Sequence, residues 1–302
     1  MLRALTLLLL LCAAPVRAES LVFGVRELAV AYSPFSVIAL PGEALVLPAL
    51  SGNIEQAKLH SSSDVDMKLQ GNALHIEAPQ ASGVYPVNVE LPSGEVRKIN
   101  VFVMVPASAI VDGSLNGYRM GDSPPGHPRY PELYRAPVGF IEVNEALLDV
   151  RLSPNFTVRQ FLCKQKSDYP KYLAVKESLL VLLEGLLAAV QERGYPAATF
   201  GVISGYRTPW YNKSIGNVPN SRHVYGDAMD MFVDVDGDGT MDDLDGDGDQ
   251  DLEDVALLAE IADEFMRRPG NSLIFGGVGR YGKTSRHGGF VHVDTRGYAA
   301  RW

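Results

Sequence analysis

From residue 20 to 105 the apolar side chains come in short runs, several alternating with polar ones, and no helical period of any length interrupts them. LVFGV (21–25), AVAY (29–32), ALVLPAL (44–50), ALHIEAP (73–79), VYPVNVELP (84–92) and KINVFVMVP (98–106) each read as a strand. They are separated by PGE, SGN, QGN, ASG and PSG, which are turn signals. This pattern predicts a small β-sandwich of immunoglobulin-like type over 19–105. Past residue 150 the period changes. Thr157-x-x-Gln160 forms a capping box that opens a short helix. Residues 171–193 carry apolar side chains at helical spacing and stop at Gly194. TFGVISGY (199–206) and GGFVHVDTR (288–296) read as strands, and 252–268 as a further helix. Helix followed by strands predicts an α+β domain over 151–302. The stretch 106–150, rich in Pro, Gly and Tyr, is the linker and is too aromatic to hang free of both domains.

The first residues, MLRALTLLLLLCAAPVRAES, fit neither domain. A basic Arg3, an apolar run from Ala4 to Ala14 and the small-residue exit Val16-Arg17-Ala18 predict a secretory signal peptide over 1–18, with an apolar run too short to span a bilayer. A lipid anchor on Cys12 is disfavoured, because Leu11 stands where a small residue is needed. The expected location is periplasmic or otherwise secreted, with no membrane span. Cleavage leaves Cys163 as the single cysteine, so no internal disulfide is available. In the run Phe161-Leu162-Cys163 it reads as a small buried hydrophobe rather than a nucleophile, because no His or Asn is placed to support it. An exported chain without disulfides suits a bacterial periplasm.

Charge narrows the partners. The formal net charge is −9, and loss of Arg3 and Arg17 makes it −11. Residues 234–254 contain ten Asp and one Glu with no Lys or Arg, which is also −11. The rest of the chain is therefore balanced, and nothing in it points to nucleic acid. Nor does the β-rich half offer a catalytic cluster, since His60 and His75 stand alone. If it has a role in function, it is to engage the envelope or a protein partner there.

The acidic run has internal order. Asp234-x-Asp236-x-Asp238-Gly239-x-x-Asp242-x-x-Asp245 follows the oxygen positions of an EF-hand loop, and Asp243-x-Asp245-x-Asp247-Gly248-x-x-Asp251-x-x-Asp254 repeats it in an overlapping frame. Position twelve is Asp rather than Glu in both frames, which shortens its bidentate reach. Calcium is the expected cation, in a structural role. A cation-free acidic loop is the alternative, in which these carboxylates repel one another.

Four residues before this run a different chemistry appears. Asp230 enters the apolar run Met229–Val233, where burying a carboxylate is costly unless it is paired or metal-bound. His223 lies seven residues earlier, and His292 and Asp294 share one face of the strand Phe290-Val291-His292-Val293-Asp294. Two histidines and a carboxylate suffice for catalytic zinc with a fourth position left for water. On spacing alone they are equally well read as satisfied core polar groups.

Ser204-Gly205-Tyr206-Arg207-Thr208, Ser221-x-His223-x-x-Gly226-x-Ala228-x-Asp230, Gly277-x-Gly279-x-Tyr281 and Phe290-Val291-His292-Val293-Asp294, in that order, resemble the zinc D-alanyl-D-alanine carboxypeptidase family. That family includes carboxypeptidases, dipeptidases and endopeptidases of peptidoglycan, and its fold is shared with the hedgehog signalling domain. FVHVD and LSPNFTVRQF resemble most closely its periplasmic murein endopeptidases. The resemblance covers about 150–302 and leaves the β-rich half outside. It implies zinc held by His223, Asp230 and His292, with Arg207 gripping a substrate carboxylate or the oxyanion, and a peptidoglycan peptide as substrate. Ser221 matches a motif position whose role is to cap or bond the ligand loop.

One departure stands out. Many members carry a carboxylate three positions before the last histidine ligand, as general base, and here that position is Gly289. Asp294, on the His292 face, and His287, in the turn before the strand, are the candidates to replace it, with Asp294 narrowly preferred; Asp294 reads equally as a residue that orients His292. The missing base also sustains a rival reading, a non-catalytic hedgehog-like metal-bearing binding module of the envelope. A calcium-dependent adhesion protein is a third reading, and it leaves the four motifs unexplained.

Overall fold

A computed structural model describes residues 21–62 and 64–302; the expected signal peptide lies outside the described residues. The chain is a mixed α+β protein with many strands and few helices. In the N-terminal part, one sheet orders the strands Leu28–Val30, Val22–Val25, Ala44–Ser51, Ala73–Glu77 and Asp66–Leu69, antiparallel throughout. The other orders Phe35–Ala39, Val96–Val103, Gly83–Glu90 and Lys58–Ser61, with only the first pair parallel. Alternation drives the arrangement. Leu45 and Leu47 point inward and Val46 outward, and the inward set meets Phe35, Val37, Val87, Val89, Ile99 and Val101 of the other sheet in a single core. Three strands escape the sequence pattern. Phe35–Ala39 is buried at every position, so nothing alternates, and Lys58–Ser61 and Asp66–Leu69 carry too few apolar residues to stand out.

Residues 106–150 contribute structure of their own. Gly139–Val143 pairs with Val105–Pro106 on one side and with Lys171–Leu173 on the other. The predicted helix over 171–193 is accordingly shorter. Lys171–Leu173 is a strand, tied by Tyr172 hydroxyl to Glu142 Oε2 at 2.7 Å, and the helix runs Glu177–Glu192. Its buried residues Leu179, Leu180, Leu182, Leu183, Leu186, Leu187 and Val190 recur at helical spacing, and each fully buried leucine stabilises the packing by about 1.5–3 kcal/mol. The short helix Val158–Phe161 opens as read, with Gln160 Oε1 accepting the Thr157 N–H at 2.9 Å.

The C-terminal sheet orders Phe200–Ser204, Ala228–Val233, Phe290–Asp294, Gly277–Tyr281 and Ala300–Arg301, antiparallel except for the last pair. Helix Leu252–Met266 packs on this sheet and on Glu177–Glu192. The two halves of the chain are joined by more than the connection. Leu28, Ile38, Phe102 and Met104 belong to the C-terminal core, and Val181 touches both cores. Glu177 Oε1 accepts the Ile38 N–H at 3.0 Å, and Ser36 Oγ donates to the Leu152 carbonyl at 2.7 Å. No helix among the described residues is long and apolar enough to cross a membrane.

Candidate metal centre

The interior strand Ala228–Val233 is buried along its whole length, with a neighbour on either side. Asp230 stands directly opposite His292 in the antiparallel register, and opposite Ser204 across the other edge. Facing residues in adjacent strands project to the same side, so the sheet itself brings Asp230 and His292 together. His223 arrives from the 3-10 turn Arg222–Tyr225, which Gly226 closes at φ 74°. A side chain at Gly226 would place its Cβ 2.7 Å from the Ala174 carbonyl carbon, so both the left-handed backbone and the close approach call for glycine. Below the turn, buried Asp227 binds Arg222 through Nε at 3.0 Å and through Nη2, and Lys176 Nζ at 2.9 Å. Arg222 is in turn stacked over Tyr134 and Tyr225. Ser221 precedes the turn, but its hydroxyl makes no capping bond; the backbone does this work, with Val224 N–H donating to the Ser221 carbonyl.

The three side chains converge. His292 Nδ1 lies 2.7 Å from Asp230 Oδ1, His223 Nε2 lies 3.1 Å from the same oxygen, and the two nitrogens are 3.2 Å apart. For neutral rings, the far nitrogen of each fixes the tautomer. His223 Nδ1 is 2.6 Å from the Gly205 carbonyl, which can only accept, so Nδ1 carries the hydrogen and Nε2 of the neutral ring is a bare lone pair. His292 Nε2 donates to Asp294 Oδ2 at 3.1 Å, leaving Nδ1 bare. With both rings neutral, two imidazole lone pairs and a carboxylate oxygen face one another with no hydrogen to share, an arrangement that a metal cation relieves, or in its absence a proton. Zinc fits the donor set: metal–ligand distances of about 2.0–2.2 Å give a tetrahedral edge of about 3.3 Å, close to the spacings found.

Without a metal, protons respond to the same field. Burial opposes charge on Asp230, yet His223 and His292 outweigh it and hold its carboxyl well below the usual range. Burial favours neutral His292, but its bonds to Asp230 and Asp294 push it up to about 9. His223, where burial dominates, is lowered.

Asp294 is fully buried and fully committed. Oδ1 accepts from Gly277 N–H at 3.0 Å and Arg296 N–H at 3.0 Å, and Arg296 Nε and Nη2 clamp the carboxylate from the side. It stands behind His292, on the ring edge away from Asp230, with no oxygen left for a proton from water. This geometry fits the orienting alternative and is a poor fit to the narrowly preferred one. His287 is half-buried, stacked edge-on against Phe290, and its Nδ1 lies 2.8 Å from the Gly288 carbonyl, so that in the neutral ring bonded there Nε2 is the acceptor. It does not touch the triad. Gly289 packs under the acidic loop; a Cβ there would meet Val255 Cγ2 at 2.7 Å.

Arg207 is buried beside the triad, with Nη2 donating to Asp230 Oδ2 at 2.6 Å and Nε to Ser204 Oγ at 2.8 Å. Sequence reading missed Arg296, Arg222 and Asp227, which position the ligands without motif positions of their own. It also missed Trp302, whose ring lies 5.3 Å from that of His292 and whose Nε1 donates to Tyr281 hydroxyl at 2.7 Å.

The acidic run adopts the same turn twice, nine residues apart. Asp234 accepts the Gly237 and Gly239 N–H groups, and Asp243 accepts those of Gly246 and Gly248. Asp236, Asp238, Asp245 and Asp247 each cap the N–H two residues on. Asp234, Asp236 and Asp242 gather in one group, and Asp243, Asp245 and Asp254 in another. Asp251 caps the helix Leu252–Met266 through Glu253 N–H at 2.6 Å. Despite its bond from Asp247 N–H, Asp245 is raised by limited burial and the surrounding Asp247, Asp254 and Asp243. Met241 and Leu244 anchor the run in the core.

Residues 154–241 match the Peptidase M15 family, a zinc-dependent family of peptidases. The matched segment holds Arg207, His223 and Asp230, and it supports the zinc D-Ala-D-Ala peptidase family for the C-terminal half. No curated protein matches the chain.

Proposed function

We propose that this protein is an exported zinc metallopeptidase that hydrolyses a peptide bond in the stem peptides or cross-links of peptidoglycan. The observation that carries the reading is the convergence of His223 Nε2, Asp230 Oδ1 and His292 Nδ1, all within 3.2 Å of one another. Bound there, zinc supplies a Lewis acid that acidifies water and polarises a carbonyl. The chain's own groups do the rest. Gly205 and Asp294 fix the two imidazoles through their outer nitrogens, which sets ring orientation and basicity. Arg207 binds Asp230 Oδ2 and offers its remaining N–H groups to a carboxylate or to the developing oxyanion. Of the two base candidates His287 is the better placed chemically, because its Nε2 is free to take a proton and pass it to the leaving amine.

In this reading the acidic loop holds calcium in two successive frames, which relieves the crowding of its carboxylates. The N-terminal sheets form an immunoglobulin-like sandwich that meets the wall or an envelope partner. Purified protein incubated with monomeric and cross-linked muropeptides, beside His223→Ala, tests the proposal by mass spectrometry. Product from the wild type alone supports it, and the mass lost identifies the bond. Gly289 favours the second reading, a metal-bearing binding module. Stoichiometric zinc with no product from either protein would point there.

A further inference from the structure

His223 and His292 reach the triad from separate elements, the turn Arg222–Tyr225 and the strand Phe290–Asp294. An arginine–aspartate pair backs each of them. Arg222 and Asp227 hold the turn that carries His223, and Arg296 clamps Asp294 behind His292. One backbone bond joins the two elements directly, from Thr295 N–H to the Asp227 carbonyl at 3.0 Å. Further links run through residues 125–134, which belong to the connection between the two halves of the chain.

On the His223 side, Arg222 Nη1 donates to the Leu133 carbonyl at 2.8 Å, and its guanidinium lies 4.5 Å from the centre of the Tyr134 ring. Tyr225 hydroxyl donates to the Pro125 carbonyl at 2.7 Å. On the His292 side, the hydroxyls of Tyr134 and Tyr298 are bonded at 2.8 Å, and Tyr130 stacks on Tyr298 with ring centres 4.6 Å apart. Arg296 in turn lies over the Tyr298 ring, at 5.7 Å. Tyr134 therefore serves both sides at once, its ring against Arg222 and its hydroxyl on Tyr298, and it is only 6% exposed. A guanidinium fixed at its face as well as along its N–H edge has few orientations left, so the carboxylate it grips is fixed with it.

We infer that residues 125–134 are a strap that sets the two histidine ligands relative to each other, with Tyr134 as the positioning residue common to both. This rests on the zinc reading, and it gives the connection between the halves a part in the metal centre.

The test uses the full chain, with zinc affinity read by chelator competition and ligand geometry by the absorption spectrum of the cobalt(II) form. Tyr134→Phe keeps the ring and removes the hydroxyl, and it should weaken zinc about 2- to 10-fold, the worth of one hydrogen bond. Tyr298→Phe should match it, and the double variant should be no weaker than either single one, because both remove the same bond. Tyr134→Leu also loses the Arg222 stack, so it should weaken zinc about 10- to 100-fold and shift the cobalt spectrum. Val87→Ala, in the core of the N-terminal sheets, should lower the melting temperature with zinc affinity and spectrum unchanged. Wild-type zinc affinity in the Tyr134 variants, an equal loss in Val87→Ala, or additive losses in the double variant would each overturn the strap and leave the zinc reading standing. If Tyr134→Leu does not fold, the two phenylalanine variants still decide the point. A wild type that binds neither metal removes the zinc reading and the strap with it.

Discussion

Asp230 and His292 face each other across one step of an antiparallel pair, and their Oδ1 and Nδ1 atoms lie 2.7 Å apart. A two-residue slip of either strand would separate them without moving any side chain to the other face, so the register itself is part of the site. Asp230 also neutralises buried Arg207. Asp230→Asn should therefore lose metal and stability together. Zinc content by atomic absorption is expected to fall below about a tenth of an equivalent. Denaturant unfolding should show a loss of about 3–5 kcal/mol, as when one partner of a buried pair is removed.

The metal-free protein should have its own pH signature. His292 rises to about 9 in the fold, against an ordinary value of 6.5. A raised pKa contributes stability that is fully present below pH 6.5 and lost as the pH rises through about 9. The loss is on the order of 3 kcal/mol, because each pKa unit is worth about 1.4 kcal/mol. Melting temperatures of the metal-free protein should fall between those two pH values. With zinc bound, the metal replaces the proton and the fall should disappear. A flat metal-free profile would contradict the proton's place between His292 and the two aspartates.

His287 and Asp294 should fail in different ways. If His287 carries the proton, His287→Ala should lower kcat by about 10² to 10⁴ with zinc retained. Asp294→Asn should instead weaken zinc binding by about 10- to 100-fold, as loss of a group orienting a ligand does. Chelator competition and steady-state kinetics on both variants separate the roles. A His287 variant with full kcat would remove it from the chemistry.

The acidic loop gives a prediction at a distance. Gly289 sits against Val255, with Asp251 and Met241 nearby, so the turn bearing His287 rests on the second frame. A calcium-selective chelator in zinc-buffered solution should slow hydrolysis several-fold without removing zinc. Asp254→Ala should do the same, since Asp254 holds Leu244 N–H and Asp251 N–H and so ties the loop to its helix. Unchanged turnover under the chelator would dissociate the loop from the cleft.

Much of the centre was legible because its chemistry is local. His223, Asp230, His292 and Arg207 stand in short motifs, and the strand that buries Asp230 is an unbroken apolar run. The supporting groups were not legible. Arg222 and Arg296 look like any surface cation until folding sets a carboxylate beside them. Asp294 was seen on the right face, but its role depends on Arg296 and Gly277, which only the folded chain brings to its oxygens. In the N-terminal sheets the alternating strands could be read, whereas Phe35–Ala39, covered on both faces, lacked any period. The strand Lys171–Leu173 was hidden by the leucine-rich helix that follows it, since three residues cannot outweigh a helical period.

Helix Glu177–Glu192 has one further consequence. Its first residue grips the backbone of the strand Phe35–Ala39, Val181 lies in both cores, and its far side supports the helix behind the metal-bearing sheet. These contacts tie the N-terminal sheets to the core on which the metal-bearing sheet rests. If the sheets meet the wall or an envelope partner, as proposed, that contact would orient the metal centre as well, and the spacing between the two would be set by the fold rather than by a linker.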